Sequence, residues 1–232
     1  MISVVIPTLD AGPRLADCLT ALVAAAVDGF VREVIVVDGG SRDETRKIAD
    51  ACGARIIEAP AGRGRQIAAG IAEASQPWVL VLHGDTVLAP GWESEAAQLM
   101  ARVDAGERPP TAATFRFALD DDGFAPRALE WLVGWRTQVC RLPYGDQGLL
   151  APRALIDAIG GFADMPLMED VDIVRRLGRR RIAVLRSAAV TDARRFREHG
   201  YFRRVMRNQL CYWLYRIGVP PDRLVALYRG AN

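Results

Sequence analysis

A doubly wound α/β fold with a mostly parallel central sheet is what this sequence predicts, on three observations. Short apolar runs at 2–6, 33–37, 54–58 and 78–82 alternate with stretches of helical length. Within the runs apolar residues follow one another without polar alternation, as in strands covered on both faces. Three of the runs then turn polar within a residue or two, at Thr8-Leu9-Asp10, Asp38-Gly39-Gly40-Ser41 and His83-Gly84-Asp85. Strands and helices alternating at this length make βαβ units with right-handed crossovers. Ligands of such sheets bind beyond the carboxyl ends of the strands, where those three polar segments fall.

Taken in order, the strand at 2–6 is stopped by Pro7, and Pro13 suits the first turn of a helix reaching about Val27. The strand at 33–37 leads to a helix over about 43–51, and the strand at 54–58 to a helix opened by Gly62-Arg63-Gly64-Arg65. The strand from Trp78 delivers Asp85, a carboxylate suited either to a hard cation or to capping the next turn. Residues 1–110 therefore read as a nucleotide-binding half. The second half, 111–195, is less regular, with helices over 91–103 and 125–139 and a strand over 111–119. Asp120-Asp121-Asp122-Gly123 reads as a solvated turn. Trp131 and Trp135, four residues apart on the 125–139 helix, either pave an acceptor cleft or pack in the core, and core is the expectation. The remainder, 196–232, reads as an amphipathic helical extension. Phe202, Val205, Met206, Leu210, Trp213, Leu214 and Ile217 recur at helical spacing, a pattern of docking on the domain's own core. The arginines between them leave peripheral contact with an anionic membrane as the alternative.

The chain has 232 residues, 50% of them hydrophobic and 25% charged, the composition of a globular protein with a substantial core. No apolar run approaches the ~18 residues of a membrane span, and no export signal is evident at the N-terminus. Four scattered cysteines without a C-x-x-C pair argue for reduced thiols and a cytoplasmic protein. The net charge of +2 conceals 15 arginines against six acids in 169–232. That asymmetry suits phosphate or an anionic surface; a nucleic-acid polymer is not expected as partner.

The fingerprint G-x-G-x-x-G is absent after the first strand, which disfavours a nicotinamide or flavin enzyme, and the Walker pattern is absent as well. Asp38 can accept hydrogen bonds from a nucleoside, and the glycines after it let the backbone approach a ligand. Arg63 sits at a helix N-terminus, where N–H groups, the dipole and a guanidinium can meet a diphosphate. Met168-Glu169-Asp170-Val171-Asp172 opens another helix, where acids are favoured electrostatically and one can act as a general base.

Together, VVIPTLD (4–10), VIVVDGGSRDET (34–45), VLVLHGDT (79–86) and PLMEDVDIVRRL (166–177) resemble the family-2 glycosyltransferases with the GT-A fold. More narrowly, GRGRQ, LHGDT, YGDQG, PLMEDV and the Arg-Arg-Phe after TDA are similar to a bacterial subgroup associated with radical-SAM and selenium-related genes. The resemblance covers nearly the whole chain. It implies an inverting enzyme that moves a single sugar from a nucleotide-diphosphate sugar to a hydroxyl acceptor, lipid-linked or a small molecule. Pro7, Thr8 and Asp38 match positions that contact the base, with Asp10, Gly39, Ser41 and Gly84 on the same converging loops. Arg63 matches the basic position of the loop before the third helix. Asp85 matches the last acid of the D-x-D motif, which binds Mg²⁺ or Mn²⁺ bridging the diphosphate. Asp170 matches the general base, beside Glu169 of the same Glu-Asp pair. Asp146 and Gln147 match acceptor-side positions, and Arg195-Phe196 resembles the Arg-Trp end of a motif beside the acceptor.

There are departures from the family pattern. His83 stands where the first Asp of D-x-D is usual, so it is a second metal ligand or a sign that Asp85 holds the metal nearly alone. Ala68 replaces a common Asn, and Asp192 stands where processive relatives have Gln. Two alternatives remain: a nucleotidyltransferase that makes the nucleotide sugar, disfavoured by the missing Gly-rich, Arg-containing signature, and a binding-only member without turnover. A peripheral position at the inner face of the membrane is compatible with the basic extension.

Overall fold

The computed structural model describes residues 1–229, without the side chains of Pro13, Arg195 and Arg229. One eight-stranded sheet runs through the molecule in the order β3-β2-β1-β4-β7-β6-β8-β5. Its strands are β1 (Ile2–Thr8), β2 (Val31–Asp38), β3 (Arg55–Glu58), β4 (Trp78–Val81), β5 (Thr86–Leu88), β6 (Ala112–Leu119), β7 (Leu149–Pro152) and β8 (Ile182–Thr191). β3, β2, β1 and β4 are parallel; β7 is antiparallel to both β4 and β6; β8 is parallel to β6, and β5 antiparallel to β8. Six strands thus share one direction and two oppose it, which is the mostly parallel, GT-A-like arrangement.

The strands read as continuous apolar runs because both faces are covered. Val4, Ile6, Leu80 and Leu82 point into a core shared with α1 (Gly12–Thr20), α2 (Val23–Val27), α3 (Thr45–Ala51) and α5 (Trp92–Asp104). Their neighbours Val5, Val79 and Val81 point the other way. There they meet α4 (Arg63–Glu73), α7 (Arg153–Ala158) and α8 (Glu169–Leu177). Successive Cβ atoms of a strand alternate in direction, so one strand serves two cores. α6 (Phe124–Cys140) packs on β6 through Leu129 and Val133, together with Phe196 of α9 (Arg194–His199). α10 (Tyr201–Arg216) and α11 (Pro221–Arg229) close over the start of α8. Cys211 and Leu224 meet Leu167, Met168 and Val171 there.

Several expectations change. The helix read over 13–27 is two helices, α1 and α2, because the chain tightens at Ala21–Leu22, where the Leu22 N–H donates three residues back to Leu19. β5, β7 and β8 carry too little periodicity to stand out in the sequence; pairing with neighbours makes them strands. Trp131 and Trp135 are not core: they are 72% and 53% exposed, because α6 turns Leu129, Val133 and Thr137 inward instead. α10 does pack on the domain, but Phe202, Met206, Leu210, Trp213 and Ile217 of the expected docking stripe face solvent. No helix among the described residues is long and apolar enough to cross a membrane.

Candidate active site

A cavity of about 760 Å³ opens at the carboxyl ends of β1 and β4. Its walls include Pro7, Thr8 and Asp10 from the end of β1, Arg63 from α4, and His83, Gly84 and Asp85 from the loop after β4. Asp146, from the 3₁₀ turn Gly145–Gln147, and Asp170 from α8 also line it. The three strand-end segments singled out in the sequence do not contribute equally. Thr8 and Asp85 face the cavity, whereas Asp38, Gly39 and Ser41 are not among its walls.

The Asp38 carboxylate is fully buried and committed to the protein. It accepts hydrogen bonds from the Gly40 and Ser41 N–H groups, the Ser41 hydroxyl and Arg46 Nε, the last at 2.7 Å. Burial alone would raise its pKa, but the hydrogen bonds from Ser41 and Arg46 hold it below the usual carboxylate range. Asp10 adopts the left-handed region, φ 52°, and accepts from the Arg42 N–H while its own N–H donates to Ser41 Oγ. These bonds tie the ends of β1 and β2 together into one rim. Gln66, whose role the sequence did not disclose, reinforces that rim. Its amide donates to the Thr8 and Val37 carbonyls, both at 2.8 Å, and its oxygen accepts from the Gly62 N–H.

Arg63 reaches across to Glu169, Nη1 to Oε1 at 3.5 Å, and its guanidinium lies 5.6 Å from the Tyr228 ring centre. Gly64 allows this: a Cβ there would lie 2.2 Å from the Ala163 carbonyl oxygen. The Gly64 N–H donates to the Met165 carbonyl, so α4 and the segment leading to Asp170 are held in contact.

Glu169 is 1% exposed, lies behind the cavity wall, and neither of its oxygens has a hydrogen-bond partner. Burial pushes its carboxyl up to about 7, with Arg63 opposing and Asp170 adding to the rise. Asp170 faces the cavity, and its Oδ2 accepts from the Gly145 N–H at 2.7 Å. Met168, just before the pair, is held at φ 68° in the left-handed region. A non-glycine residue there stores backbone strain of order 1–3 kcal/mol, and such strain concentrates at functional sites. Gly145 also makes room for His83, since a Cβ at 145 would come within 2.7 Å of His83 Nε2 and 3.4 Å of Asp170 Oδ2. His83, Gly145 and Asp170 are therefore packed side by side.

Asp146 and Gln147 separate. Asp146 is on the wall with a buried Oδ1 that lacks a hydrogen-bond partner. Burial pushes it up to about 6. Gln147 is 1% exposed and saturated: its oxygen accepts from Thr137 Oγ1 and the Tyr144 N–H, and its amide donates to the Phe115 carbonyl. It holds the turn and does not reach the cavity. Arg195 lies in α9, and its side chain is outside the described residues. The extension supplies walls that no motif in the chain announces, notably Arg207, Tyr212 and Tyr228. Asp192 is likewise a wall residue, held by Arg14 through two bonds of 2.9 Å.

Among the described residues no three His, Cys, Asp or Glu side chains are grouped to hold a metal ion. Asp85 and His83 on one loop nevertheless suit a cation bound by one or two side chains and completed by substrate phosphates, the way Mg²⁺ is commonly held.

Residues 3–135 match the family model described as Glycosyl transferase family 2. The chain belongs to that family. Over 86 residues this family-2 chain is 31% identical to Glycosyltransferase AglJ of Haloferax volcanii, a match spanning 36% of the chain and 27% of that relative. Its fold is similar to that of glucosyl-3-phosphoglycerate synthase from Mycobacterium tuberculosis in complex with Mn²⁺, UDP and glucosyl-3-phosphoglycerate. The TM-score is 0.63 at 26% identity, over 95% of this chain and 81% of that one. S. aureus TarS 1-349 shares the fold at TM-score 0.62 and 18% identity, over 98% of this chain and 70% of that one.

Proposed function

We propose that this family-2 glycosyltransferase transfers one sugar from a UDP- or GDP-sugar to a hydroxyl acceptor with inversion, Asp170 acting as general base. The observation that carries this reading is the orientation of Asp170. The Gly145 N–H holds one oxygen at 2.7 Å, on a cavity that also has Arg63 and the Asp85 loop on its walls. A general base must be held within hydrogen-bond reach of the proton it takes, and a rigid helix start does that. The acceptor oxygen bonds to the anomeric carbon as the bond to the diphosphate oxygen breaks, and no enzyme nucleophile is needed. Arg63 stabilises the charge that grows on the departing diphosphate.

Mg²⁺ or Mn²⁺ held by Asp85, with His83 beside it, would supply Lewis-acid stabilisation of that same charge. The synthase of similar fold that was captured with Mn²⁺ and UDP supports both the metal and a uridine donor. Pro7 and Thr8 are the wall residues placed to meet the base. Asp38 acts from behind them: it shapes the rim, and it contacts a nucleoside only if Arg46 or Ser41 gives way. The narrower likeness to the radical-SAM-associated subgroup rests on GRGRQ, LHGDT, YGDQG and PLMEDV.

The test is nucleotide release from UDP- and GDP-sugars, with and without Mn²⁺, across an acceptor panel. Asp170→Asn should keep donor binding, seen as an unchanged ligand-induced rise in melting temperature, and lose turnover by roughly a hundredfold or more. Equal turnover by Asp170→Asn and wild type would remove Asp170 as the base. Pyrophosphate release from a sugar 1-phosphate and a nucleoside triphosphate would point to a nucleotidyltransferase instead.

A further inference from the structure

Of the fourteen large apolar side chains exposed among the described residues, ten belong to α6, α10 and the residue capping α10. On α6, Phe124, Trp131, Leu132, Trp135 and Val139 fall within one arc of the helix. On α10, Phe202, Met206, Leu210, Trp213 and Ile217 recur every three or four residues. A stripe of this kind normally faces a core, yet Phe202 is 76% exposed and Trp213 60%. Exposed apolar surface gathered in one region marks an interaction site rather than chance.

The two helices flank a groove of about 210 Å³. Leu129, Leu132, Val133 and Trp135 of α6 line one side, and Val205 and Gln209 of α10 the other. The groove meets the donor cavity: Tyr144, Asp146, Phe196 and Asn208 line both. The groove has Trp135 on its α6 side and an apolar floor of Phe117, Leu129, Val133 and Phe196, and it ends at polar residues, among them Asp146, next to Gly145, whose N–H orients Asp170. The acidic turn Asp120-Asp121-Asp122 lies at the start of α10, where Asp121 accepts from the Tyr201 hydroxyl; along α10 itself the charge is basic. α10 carries Arg203, Arg204, Arg207 and Arg216 and no acid, with Arg203 and Arg216 exposed.

We propose that the acceptor is a membrane-borne amphiphile: its hydrocarbon chain lies in the α6–α10 groove and its hydroxyl end reaches Asp170, while the rims sit in the interface of an anionic bilayer. This assignment rests on the transferase reading above. In the transfer the amphiphile's oxygen forms the bond to the anomeric carbon. The bond from that carbon to the donor diphosphate breaks, with its electron pair leaving on the nucleoside diphosphate, and the hydroxyl proton passes to Asp170. Tryptophan suits the bilayer interface because its ring is apolar and its N–H polar. Arginine stems lie along apolar surface while their heads meet anionic headgroups. The apolar part of the groove would keep a hydrocarbon chain out of water, while the polar junction at Asp146 and Asn208 receives the polar end for reaction.

The test uses the full chain and has two arms. The first is co-sedimentation with vesicles of phosphatidylcholine alone or mixed with phosphatidylglycerol, with tryptophan emission recorded. The protein should bind the mixed vesicles with a blue shift that salt weakens. The double variant Trp131→Ser/Trp213→Ser should lose that binding while keeping its melting temperature and its stabilisation by UDP. In the second arm, methyl and dodecyl glucosides serve as acceptor probes for UDP release from UDP-glucose. Wild type should favour the dodecyl probe, and Leu132→Asp should erase the preference.

Absence of binding to either vesicle overturns the proposal, as does equal use of the two glucosides. So does a dimer in solution that the tryptophan substitutions dissolve, since the surface would then belong to a second copy. Vesicle binding needs no turnover. Intact binding without nucleotide release from any UDP- or GDP-sugar on any acceptor would therefore overturn the transferase reading, and the acceptor assignment with it, on separate grounds.

Discussion

Glu169 and Asp170 are neighbours with opposite surroundings. Asp170 faces the cavity and is held by a backbone N–H, whereas Glu169 points into the protein with Arg63 3.5 Å away. Desolvation dominates at Glu169 and lifts its carboxyl from 4.5 to about 7. Between those values the folded chain holds a proton that the unfolded chain has released. The associated stability is complete below the unfolded value and is lost as the pH rises through about 7. Glu169→Gln removes this titration while keeping the shape. The melting temperature of wild type should therefore fall relative to the variant as the pH is raised from about 5 to about 8. Parallel melting curves across that range would show that Arg63 keeps Glu169 charged throughout. The charge of Arg63 is not at issue, because Glu169 and Tyr228 favour its protonated form against burial.

At the scale of elements, α4 shows how a loop becomes a site. Gln66 in its first turn is 3% exposed and joins three elements, accepting from Gly62 and donating to the carbonyls that end β1 and β2. Gln66→Ala removes one hydrogen bond from each of two buried carbonyls, leaving Thr8 O with the Gly39 N–H and Val37 O with the Thr8 hydroxyl, and should cost about 1–3 kcal/mol, read from urea unfolding. Since those carbonyls shape the rim at Thr8, donor affinity should fall as well; a loss of stability without a loss of UDP binding would separate the two roles. The sequence disclosed the motif around Gln66 but not this use of it, because a side-chain amide bridging two strand ends leaves no periodic signal. The same limit explains Gln147, whose match to a family position suggested the acceptor side although its amide group is taken up by Phe115 of β6, Thr137 of α6 and the Tyr144 N–H. Asp38 was recognisable as a strand-end acid, while its commitment to Arg46 and Ser41 depends on residues three and eight positions on. The buried strands and the loops ending them were readable because apolar runs and abrupt polar ends are local. β5, β7 and β8 were not, since their strand character comes from partners far along the chain. Trp131 and Trp135 were misread for a related reason: helical spacing reveals an apolar face but not which face the domain covers.

Across the whole molecule, the helix that carries Asp170 depends on the last part of the chain. Leu167, Met168 and Val171 flank Glu169 and Asp170, and they pack against Cys211 of α10 and Leu224 of α11. Met168 is held at a positive φ that an isolated chain would avoid, so something must over-determine it. The buried cluster beneath α10 and α11 meets that need, and Arg207 and Tyr228 of the same helices reach the cavity. Leu224 is 2% exposed, so Leu224→Ala leaves a cavity in this cluster and should cost about 2–5 kcal/mol. The site is built from two ends of the molecule, and this variant probes them separately. The rim at Thr8 and Asp85 hangs on β1 and β4, which Leu224 does not touch, whereas the direction of Asp170 hangs on the cluster. At a temperature where the variant is fully folded, UDP affinity should stay close to wild type while turnover falls several-fold. A variant that loses affinity and turnover together would show that α11 supports the donor side directly, through Tyr228 stacked near Arg63.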